Sequence, residues 1–553
     1  MIQILSNHIF HLFGYLIFYL YFYLSGRSLN IILLNFFKIE KMPENILFIK
    51  SSIFYPILGT FFTGNLLILI NFFIPLKSFI VVILLISTLI PNITRFEKNT
   101  FSVSIENFIM YLIIPFILIM SLYNTGWHYD AGFYHLNHQN WLRESQMVIG
   151  FINVHWAFGM SSIYEYLSSI LWFDITFKYL HFLNILFIHF FYISLFSHIV
   201  YSKEKILKNG AFFLLLFSLL DNIGMNGGRN GFIYIQGVTK QDTTVAILFL
   251  VTVRAIFIYL NKKEINKLDF SILCMISLFV IQIKLSSVSL VILILLLKFI
   301  TLKNKLLKTS DLIKYTTPGL IFSSIWIIKQ FLTTGCFIYP VNMTCLNNFK
   351  WYEVGSTAEY ESITRGSSYS LPYYDFNLIG WSKYFFSFEI NKTVFTNFAL
   401  SILLLSLFFI FLANKNKDIT VLPMLFFIIF NVIYLINYGP TPRYTMGTFL
   451  IIISIFGFLT KDLKFNMSKK LIYLLILISV SSLVRLSSYS SFINQDYSGG
   501  LFDPRPDSTY FEQRNGYLKP TEGDQCWINI DCTMSTHQIN VDKESYFPTA
   551  ERK

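Results

Sequence analysis

Long apolar runs separated by short polar stretches repeat along nearly the whole chain. A helix needs about 20 apolar residues to cross a bilayer. On this basis the pattern predicts about 14 spans, some of them short, and therefore an all-α, multi-pass membrane protein. The predicted spans are 4–24, 52–75, 78–94, 104–122, 178–200, 210–221, 243–260, 269–283, 285–300, 315–333, 393–413, 419–438, 446–460 and 470–485.

The composition supports this fold class. Hydrophobic residues make up 54% of the 553 positions and charged residues only 13%, where roughly 25% charged is usual for a soluble protein. The mean hydropathy is +0.56. These values exclude a disordered chain, a collagen-like chain and an ordinary cytosolic enzyme. The net charge of +12 would indicate nucleic acid in a soluble protein, so the position of the charges decides what it means here.

The charges are divided unevenly between alternate loops. One set of loops holds 24 of the 43 basic and 10 of the 31 acidic residues, which leaves 19 basic and 21 acidic residues elsewhere. Short cytoplasmic loops collect Lys and Arg, so we assign this set to the cytoplasm and both termini to the outside. The net charge then reports orientation and contact with anionic membrane lipid, and we expect no nucleic acid. The set is 25–50, 95–106, 201–209, 254–269, 298–314, 414–418 and 461–470.

The same topology divides the chain into six parts. Residues 156–173 are interpreted as an interfacial helix, since a span there would place the basic loop 201–209 outside. The parts are N-terminal transmembrane helices (1–122), a first outer loop with juxtamembrane helices (123–177), central transmembrane helices (178–333), a large outer loop (334–392), C-terminal transmembrane helices (393–485) and a small extracytoplasmic tail (486–553).

Four of the five cysteines lie in predicted outer segments, in two closely spaced pairs. On the oxidising side of a membrane such pairs favour short-loop disulfides, Cys336 with Cys345 and Cys526 with Cys532. Free or cross-paired thiols are the alternative. No CxxC or Cys/His spacing predicts a zinc site.

The first outer loop carries the densest cluster of reactive side chains, with Asp130 between His128 and His135. A carboxylate at the rim of a membrane cavity is partly desolvated, which raises its pKa and makes it a better general base. The alternative is an Asp that caps a loop helix. The histidines leave open whether a divalent metal assists. Because no second carboxylate stands at a fixed spacing, we predict no metal ligands.

Three separate cationic groups lie in the other outer segments: Arg229 in a glycine-rich loop, Lys284 between two apolar runs, and Arg443 beside two prolines. Such groups suit a phosphate. The alternatives are a flexible loop around Arg229, a hairpin apex at Lys284 and a lipid-headgroup contact at Arg443. No nucleotide-binding signature is present, and a lipid-anchored phosphate donor would need none. A carboxylate that faces cations is suited to transfer from such a donor.

The order of these features resembles the GT-C superfamily of membrane glycosyltransferases, which use polyprenyl-phosphate sugars. The chain is more closely similar to a bacterial multi-pass membrane protein group within it. The similar pieces extend from about residue 124 to 532. They are Asp130-x-x-x-Tyr134-His135, Ile283-Lys284-Leu285-Ser286, Thr334-Gly335-Cys336 through Tyr339-Pro340, Pro442-Arg443-Tyr444, and Gly523-Asp524-Gln525-Cys526-Trp527 with Cys532.

The resemblance implies that Asp130 is the catalytic base, because the superfamily places an acidic residue there. Asp242 is the nearest match to its second acidic residue, with an N-cap as the alternative. Many members carry paired carboxylates in the first loop, whereas Ala131 follows Asp130 here. The expected substrate-binding residues are Tyr134 and His135 at the acceptor, Arg229, Lys284 and Arg443 at the donor phosphate, and in addition Asp242 and Tyr444.

We therefore expect a glycosyltransferase on the outer face of a bacterial inner membrane. It would transfer a sugar from a polyprenyl-phosphate donor to an envelope glycan or lipid acceptor, with no certain cofactor. One alternative is an O-antigen-type polysaccharide polymerase, which would depend on Arg443 and Arg229 rather than Asp130. Another is a lipid-linked glycan transporter or flippase. Internal repeats and mid-membrane ionisable residues are typical of transporters, and the sequence shows no repeat and few such residues.

Overall fold

The structure is a computed structural model of the full chain. It describes residues 2–95, 104–160, 162–173, 177–223, 233–262, 265–346, 348–349, 351–352, 357, 360, 378–412, 421–438, 441–463, 467–494, 511–514, 517–520, 523–533, 539–542 and 547–552.

Helices make up most of the described chain. The α-helices are Ile2–Phe37, Ser51–Asn71, Phe79–Ser87, Pro91–Thr94, Ile105–Phe108, Ile114–Ile119, Leu136–Glu144, Ile163–Ser169, His181–Tyr201, Lys205–Ile223, Asp242–Asn261, Lys267–Ile283, Leu290–Lys303, Thr309–Thr334, Leu378–Ser387, Glu389–Leu412, Val421–Tyr438, Pro442–Leu459, Lys469–Leu483 and Leu486–Asn494. Short 3-10 or π-helical segments are Ile109–Ile113, Met120–Tyr123, Ala131–His135, Phe151–Asn153, Trp156–Met160, Lys178–Leu180, Leu285–Ser287 and Asn342–Thr344.

The described strands form short antiparallel pairs. These are Asn45–Ile46 with Ile49–Lys50, Phe511–Arg514 with Tyr517–Pro520, and Ile539–Asp542 with Thr549–Arg552. In the last two pairs, Phe511 is opposite Pro520 and Ile539 is opposite Arg552.

Eight helices in the described part are long and apolar enough to cross a membrane, and a ninth results if a pair bent by 76° counts as one span. The eight are Ser6–Phe37, Ser51–Asn71, Ile105–Tyr123, Lys178–Tyr201, Asp242–Asn261, Leu285–Lys303, Glu389–Phe411 and Pro442–Leu459. The all-α, membrane-type fold class therefore agrees with the prediction. The remaining predicted spans fall on helices that are shorter or less apolar, so the full set of 14 stays a prediction.

Glycines let neighbouring helices approach closely at two places. A Cβ on Gly26 would lie 1.8 Å from the carbonyl oxygen of Tyr55, and one on Gly457 would lie 2.4 Å from the backbone nitrogen of Gly210. Small residues are enriched at such contacts in membrane proteins because they admit the partner backbone. The Lys178–Tyr201 and Asp242–Asn261 helices are almost fully buried and form the centre of the bundle.

Described parts of five of the basic loops meet at one end of the bundle, which we call the basic end (residues 38–50, 201–208, 261–262, 265–269, 303–311, 460–463 and 467–470). Here Lys262 Nζ lies 2.7 Å from Glu204 Oε1, and Lys267 Nζ lies 3.2 Å from Asp311 Oδ2. The backbone N–H of Leu47 donates to Asp269 at 3.3 Å. We call the other end, which holds the first outer loop, the opposite end.

The tail packs on the first outer loop at the opposite end. The backbone N–H of Ala550 donates to the carbonyl of Ile149 at 2.8 Å, and the Asn153 amide donates to the carbonyl of Ala550 at 2.8 Å. Disulfides join Cys336 to Cys345 and Cys526 to Cys532, which is the local pairing that the spacing favours.

Candidate functional site

Asp130 lies near the start of the first predicted outer loop, on the turn that precedes the π-helical segment Ala131–His135. Its carboxylate is paired with the ammonium group of Lys240, which lies just before the Asp242–Asn261 helix. The Asp130 backbone N–H donates to His128 Nδ1 at 3.1 Å. Asp130 occupies the N-cap position but makes no capping hydrogen bond with its side chain, so the carboxylate is engaged by Lys240 instead of the helix end.

The pairing with Lys240 changes the expected electrostatics of Asp130. Partial burial raises the pKa of the Asp130 carboxyl, but the Lys240 ammonium, together with His135 and His128, lowers it more, and the pKa lies below its ordinary value. The prediction of a raised pKa was wrong because the sequence did not reveal this partner. Burial, together with Lys240, also lowers the pKa of His128 to about 4, so His128 is neutral near pH 7.

A second carboxylate–lysine pair lies beside the first. Asp242 is the first residue of its helix, and its almost fully buried carboxylate is paired with Lys284, the residue that follows the Lys267–Ile283 helix. The Gln236 amide donates to Asp242 Oδ2 at 3.3 Å. The N-cap of the Asp242–Asn261 helix is Gln241, without a side-chain capping bond. Asp242 is therefore an ion-pair partner and not the helix cap.

A narrow polar cleft lies at this second pair. Lys284 Nζ lies 4.4 Å from the centre of the Tyr444 ring, and the Arg443 guanidinium lies 5.1 Å from the same ring. Arg443 is exposed, and no carboxylate of the described residues is within salt-bridge distance of it. The side chains that line the cleft include Asp242, Lys284, Ser286, Ser287, Asn431, Arg443, Tyr444 and Thr448.

The two ion pairs and Arg443 form one electrostatic cluster. Asp130 and Asp242 both attract Arg443, and Lys240 is close enough to interact with both carboxylates and with Arg443. With His128 neutral, two carboxylates face three cations, which leaves one positive charge in excess. An arrangement of this kind can bind an anion at Arg443 without first removing a carboxylate from it.

A buried network supports the cluster from below. Glu165 is 3% exposed and accepts a hydrogen bond from Gln139 at 2.6 Å and one from Gln241 at 3.0 Å. His135 Nδ1 lies 2.5 Å from the same carboxylate, and the Tyr134 ring packs 4.1 Å from the His135 ring. The network joins the first outer loop to Gln241, which lies between Lys240 and Asp242. His135 is buried in this network, so it faces inwards and does not line an open cleft.

The structure thus brings together Asp130, Tyr134, Asp242, Lys284, Arg443 and Tyr444. Arg229 lies outside the described residues. No group of three or more His, Cys, Asp or Glu side chains that could hold a metal is present in the part of the chain that the structure describes.

A family model described as a domain of unknown function (DUF8201) matches residues 9–451. The chain belongs to this family. No curated protein and no solved structure matches the chain. The DUF8201 match includes both ion pairs, Arg443 and Glu165, whereas the tail with Cys526 and Cys532 follows the matched residues.

The sequence pattern of this DUF8201 chain did not single out Lys240 of the cluster or Glu165 of the buried network beneath it. Lys240 stands two positions before Asp242, and this closeness to a candidate acid was the available signal. Glu165 is the only acidic residue between 145 and 173. A single carboxylate in an apolar stretch needs hydrogen-bonding partners when it is buried. The isolated position of Glu165 was therefore the available signal for a hydrogen-bonded network.

Proposed function

We propose that this DUF8201 protein is a membrane glycosyltransferase. It transfers a sugar from a polyprenyl-phosphate donor to an envelope glycan or lipid acceptor on the outer face of a bacterial inner membrane. The observation that carries the proposal is the cluster in which Asp130 and Lys240 lie beside Asp242, Lys284 and Arg443.

The topology forms part of the proposal. The opposite end faces outwards, both termini lie outside, and the helices cross the bilayer in 14 spans. The meeting of the basic loops at one end of the bundle supports this orientation, since short cytoplasmic loops are enriched in Lys and Arg.

In the proposed reaction Asp130 removes the proton of the acceptor hydroxyl. The acceptor oxygen forms a bond to the anomeric carbon of the sugar, and the bond from that carbon to the donor phosphate oxygen breaks. Negative charge grows on the leaving phosphate, where Arg443 and Lys284 stabilise it. Tyr444 holds both cations through its ring, and Tyr134 contacts the acceptor.

The Asp130–Lys240 pair links donor binding to base strength. A paired carboxylate with a lowered pKa is a weak base. A donor phosphate beside Arg443 attracts Lys240, which weakens its hold on Asp130 and raises the pKa of the carboxyl towards its ordinary value. The base thus becomes active when donor is bound.

Replacement of Asp130 by Asn tests the proposal. A general base typically contributes about 10²–10⁴ in rate, so we expect Asp130→Asn to lower the transfer rate by this factor, with partial activity in Asp130→Glu. The measurement is the envelope glycan profile of a deletion strain complemented with each variant, at equal membrane levels of protein. A normal profile with Asp130→Asn would exclude Asp130 as the base.

An O-antigen-type polymerase is a second candidate. The lowered pKa of Asp130 and the exposed Arg443 favour a reaction that depends on the cation more than on the acid. In that case Arg443→Ala abolishes glycan chain extension while Asp130→Asn leaves it intact. Transfer by detergent-solubilised protein, where no leaflets exist, supports either enzyme against a lipid-linked glycan transporter or flippase.

A further inference from the structure

The disulfide-closed loop of the tail contacts the turn that carries Asp130 on both sides of that residue. Before it, the Tyr129 hydroxyl donates to Asp524. After it, the backbone N–H of Trp527 donates to the carbonyl of Gly132 at 2.8 Å. Two bonds from one short segment therefore flank Asp130 in sequence and restrict movement of its turn.

The contact at Gly132 leaves no room for a side chain. A Cβ on Gly132 would lie 2.1 Å from Gln525 Oε1 and 2.7 Å from Cε2 of the Trp527 ring. The amide end of Gln525 can rotate away, but the indole ring is rigid and packs against the Trp127 ring at a centroid distance of 5.9 Å. Glycine is thus the residue that this packing requires.

Trp527 is held in a conformation that it would not adopt freely. Its φ is +50°, in the left-handed region that is strained for a bulky residue. The Cys526–Cys532 disulfide closes the loop around it. The Asn140 amide donates to the carbonyl of Ile528 at 2.8 Å. Such a conformation persists only where the surroundings determine it.

The other side of the Asp130 turn packs on the loop that carries Lys240. A Cβ on Gly237 would lie 3.2 Å from the carbonyl oxygen of Gly126 and 3.3 Å from Cβ of His128. The turn is therefore enclosed between the Lys240 loop and the tail, so displacement of the tail frees the turn to move away from Lys240.

We propose that residues 524–532 of the tail form a positioning element that holds Asp130 against Lys240, with Trp527 and Gly132 as its central contact. The element sets the geometry of the base and of the cation that controls it. Its importance for transfer rests on the proposed function, whereas the positioning itself is a property of the folded chain.

Acetylation of Lys240 measures this positioning without any substrate. In the purified full-length protein Lys240 is 9% exposed and paired, so an amine-reactive acetylating reagent is expected to label it slowly. Gly132→Ala and Trp527→Ala should each increase the labelling rate at least about tenfold, the effect of one pKa unit. When the Asp130 carboxylate moves away from Lys240, the pKa of the Lys240 ammonium falls. The pH dependence of Lys240 labelling should therefore shift to lower pH.

The controls separate positioning from general loosening. Gly319→Ala is matched to Gly132→Ala, because its Cβ would meet its nearest neighbour, Cys274, at an ordinary 3.5 Å; it should leave Lys240 unchanged. Lys77, paired with Glu144, is the internal reference for labelling. Trp527→Phe, which keeps a ring, should partly restore slow labelling. If the Trp527→Ala variant does not fold, the Tyr129→Phe variant is measured in its place, because this substitution removes only the hydrogen bond to Asp524.

An unchanged rate and pH profile of Lys240 in the folded Gly132→Ala and Tyr129→Phe variants would overturn the positioning role. Because the readout needs no donor, it is independent of the transfer test. Normal transfer by Asp130→Asn would refute the proposed function and leave the labelling result standing, and the reverse outcome would refute only the positioning element.

Discussion

The two ends of the bundle use the same residue types in different ways. At the basic end, the side chains of Lys262 and Glu204 are 36% and 41% exposed and lie 2.7 Å apart. At the opposite end, the side chains of Lys284 and Asp242 are 26% and 1% exposed. Exposed pairs typically contribute only about 0–1 kcal/mol to stability. Burial of a pair carries a desolvation cost that can exceed the attraction.

This difference indicates what each set of charges does. In the proposed topology the excess of Lys and Arg at the basic end orients the chain, which requires no defined partners for these residues. The opposite end keeps two carboxylates and three cations in one cluster, although apolar residues would be about as stable there. Stability alone therefore does not account for this cluster, which is the part of the chain on which the proposed function rests.

The largest predicted effect is the loss of the buried pair. Lys284→Ala leaves the Asp242 carboxylate buried without its ammonium partner, which is expected to lower the free energy of unfolding by about 3–5 kcal/mol. Chemical unfolding of the detergent-solubilised protein measures this. The double variant Lys284→Ala/Asp242→Asn removes both charges and should recover most of the loss. Wild-type stability in the single variant would contradict the contrast between the two ends.

A lower pH is expected to weaken the opposite end through His155. Burial lowers the pKa of His155 to about 3, whereas an unfolded His titrates near 6.5. Between pH 6.5 and 5 the unfolded state binds the proton and the folded state does not, so stability falls as the pH falls. The expected loss from this residue is about 2 kcal/mol.

His155→Gln should flatten this part of the stability–pH curve by the same amount. Unfolding experiments at pH 5, 6 and 7 on both proteins give the slopes. The lowered pKa of Asp130 acts elsewhere on the curve, because its contribution is present above pH 4 and is lost only as the pH falls through its folded-state value. Equal slopes in the two proteins would show that His155 titrates normally.

The local sequence pattern was enough to predict the helices. It also predicted, for most site residues, the end of the bundle at which they lie. Apolar runs are properties of contiguous sequence, and each predicted span overlaps a helix. Alternation of loops then placed Asp130, Lys284 and Arg443 at the same end, and the structure groups them there. Close cysteine spacing likewise favoured the two disulfides.

Partners distant in sequence were not predictable in this way. Lys240 is 110 positions from Asp130, and no local pattern shows which of several lysines reaches which acid. Lys240 is the main group that lowers the pKa of Asp130 against the effect of burial. The same holds for Trp527 against Gly132, because the sequence shows neither the direction of the tail nor a need for glycine at a helical position.

The smallest predicted effect is at the basic end. Glu204→Gln removes the charge that faces Lys262 but keeps the size of the side chain and leaves the Lys262 contact with the Phe48 ring at 4.7 Å. Because both partners are well exposed, we expect a change of only about 0.2–1 kcal/mol in the free energy of unfolding. Added salt should reduce it, since about 1 M salt shortens the screening length to roughly 3 Å, close to the separation of this pair.

The matching measurement is a double-mutant cycle of Glu204→Gln with Lys262→Met, set beside the cycle for Asp242 and Lys284. A small, salt-sensitive coupling at the basic end and a large, salt-resistant one at the opposite end would sharpen the contrast, because burial limits screening. Equal coupling energies would mean that exposure does not separate the two ends. The charge cluster would then need no functional explanation beyond ordinary pairing.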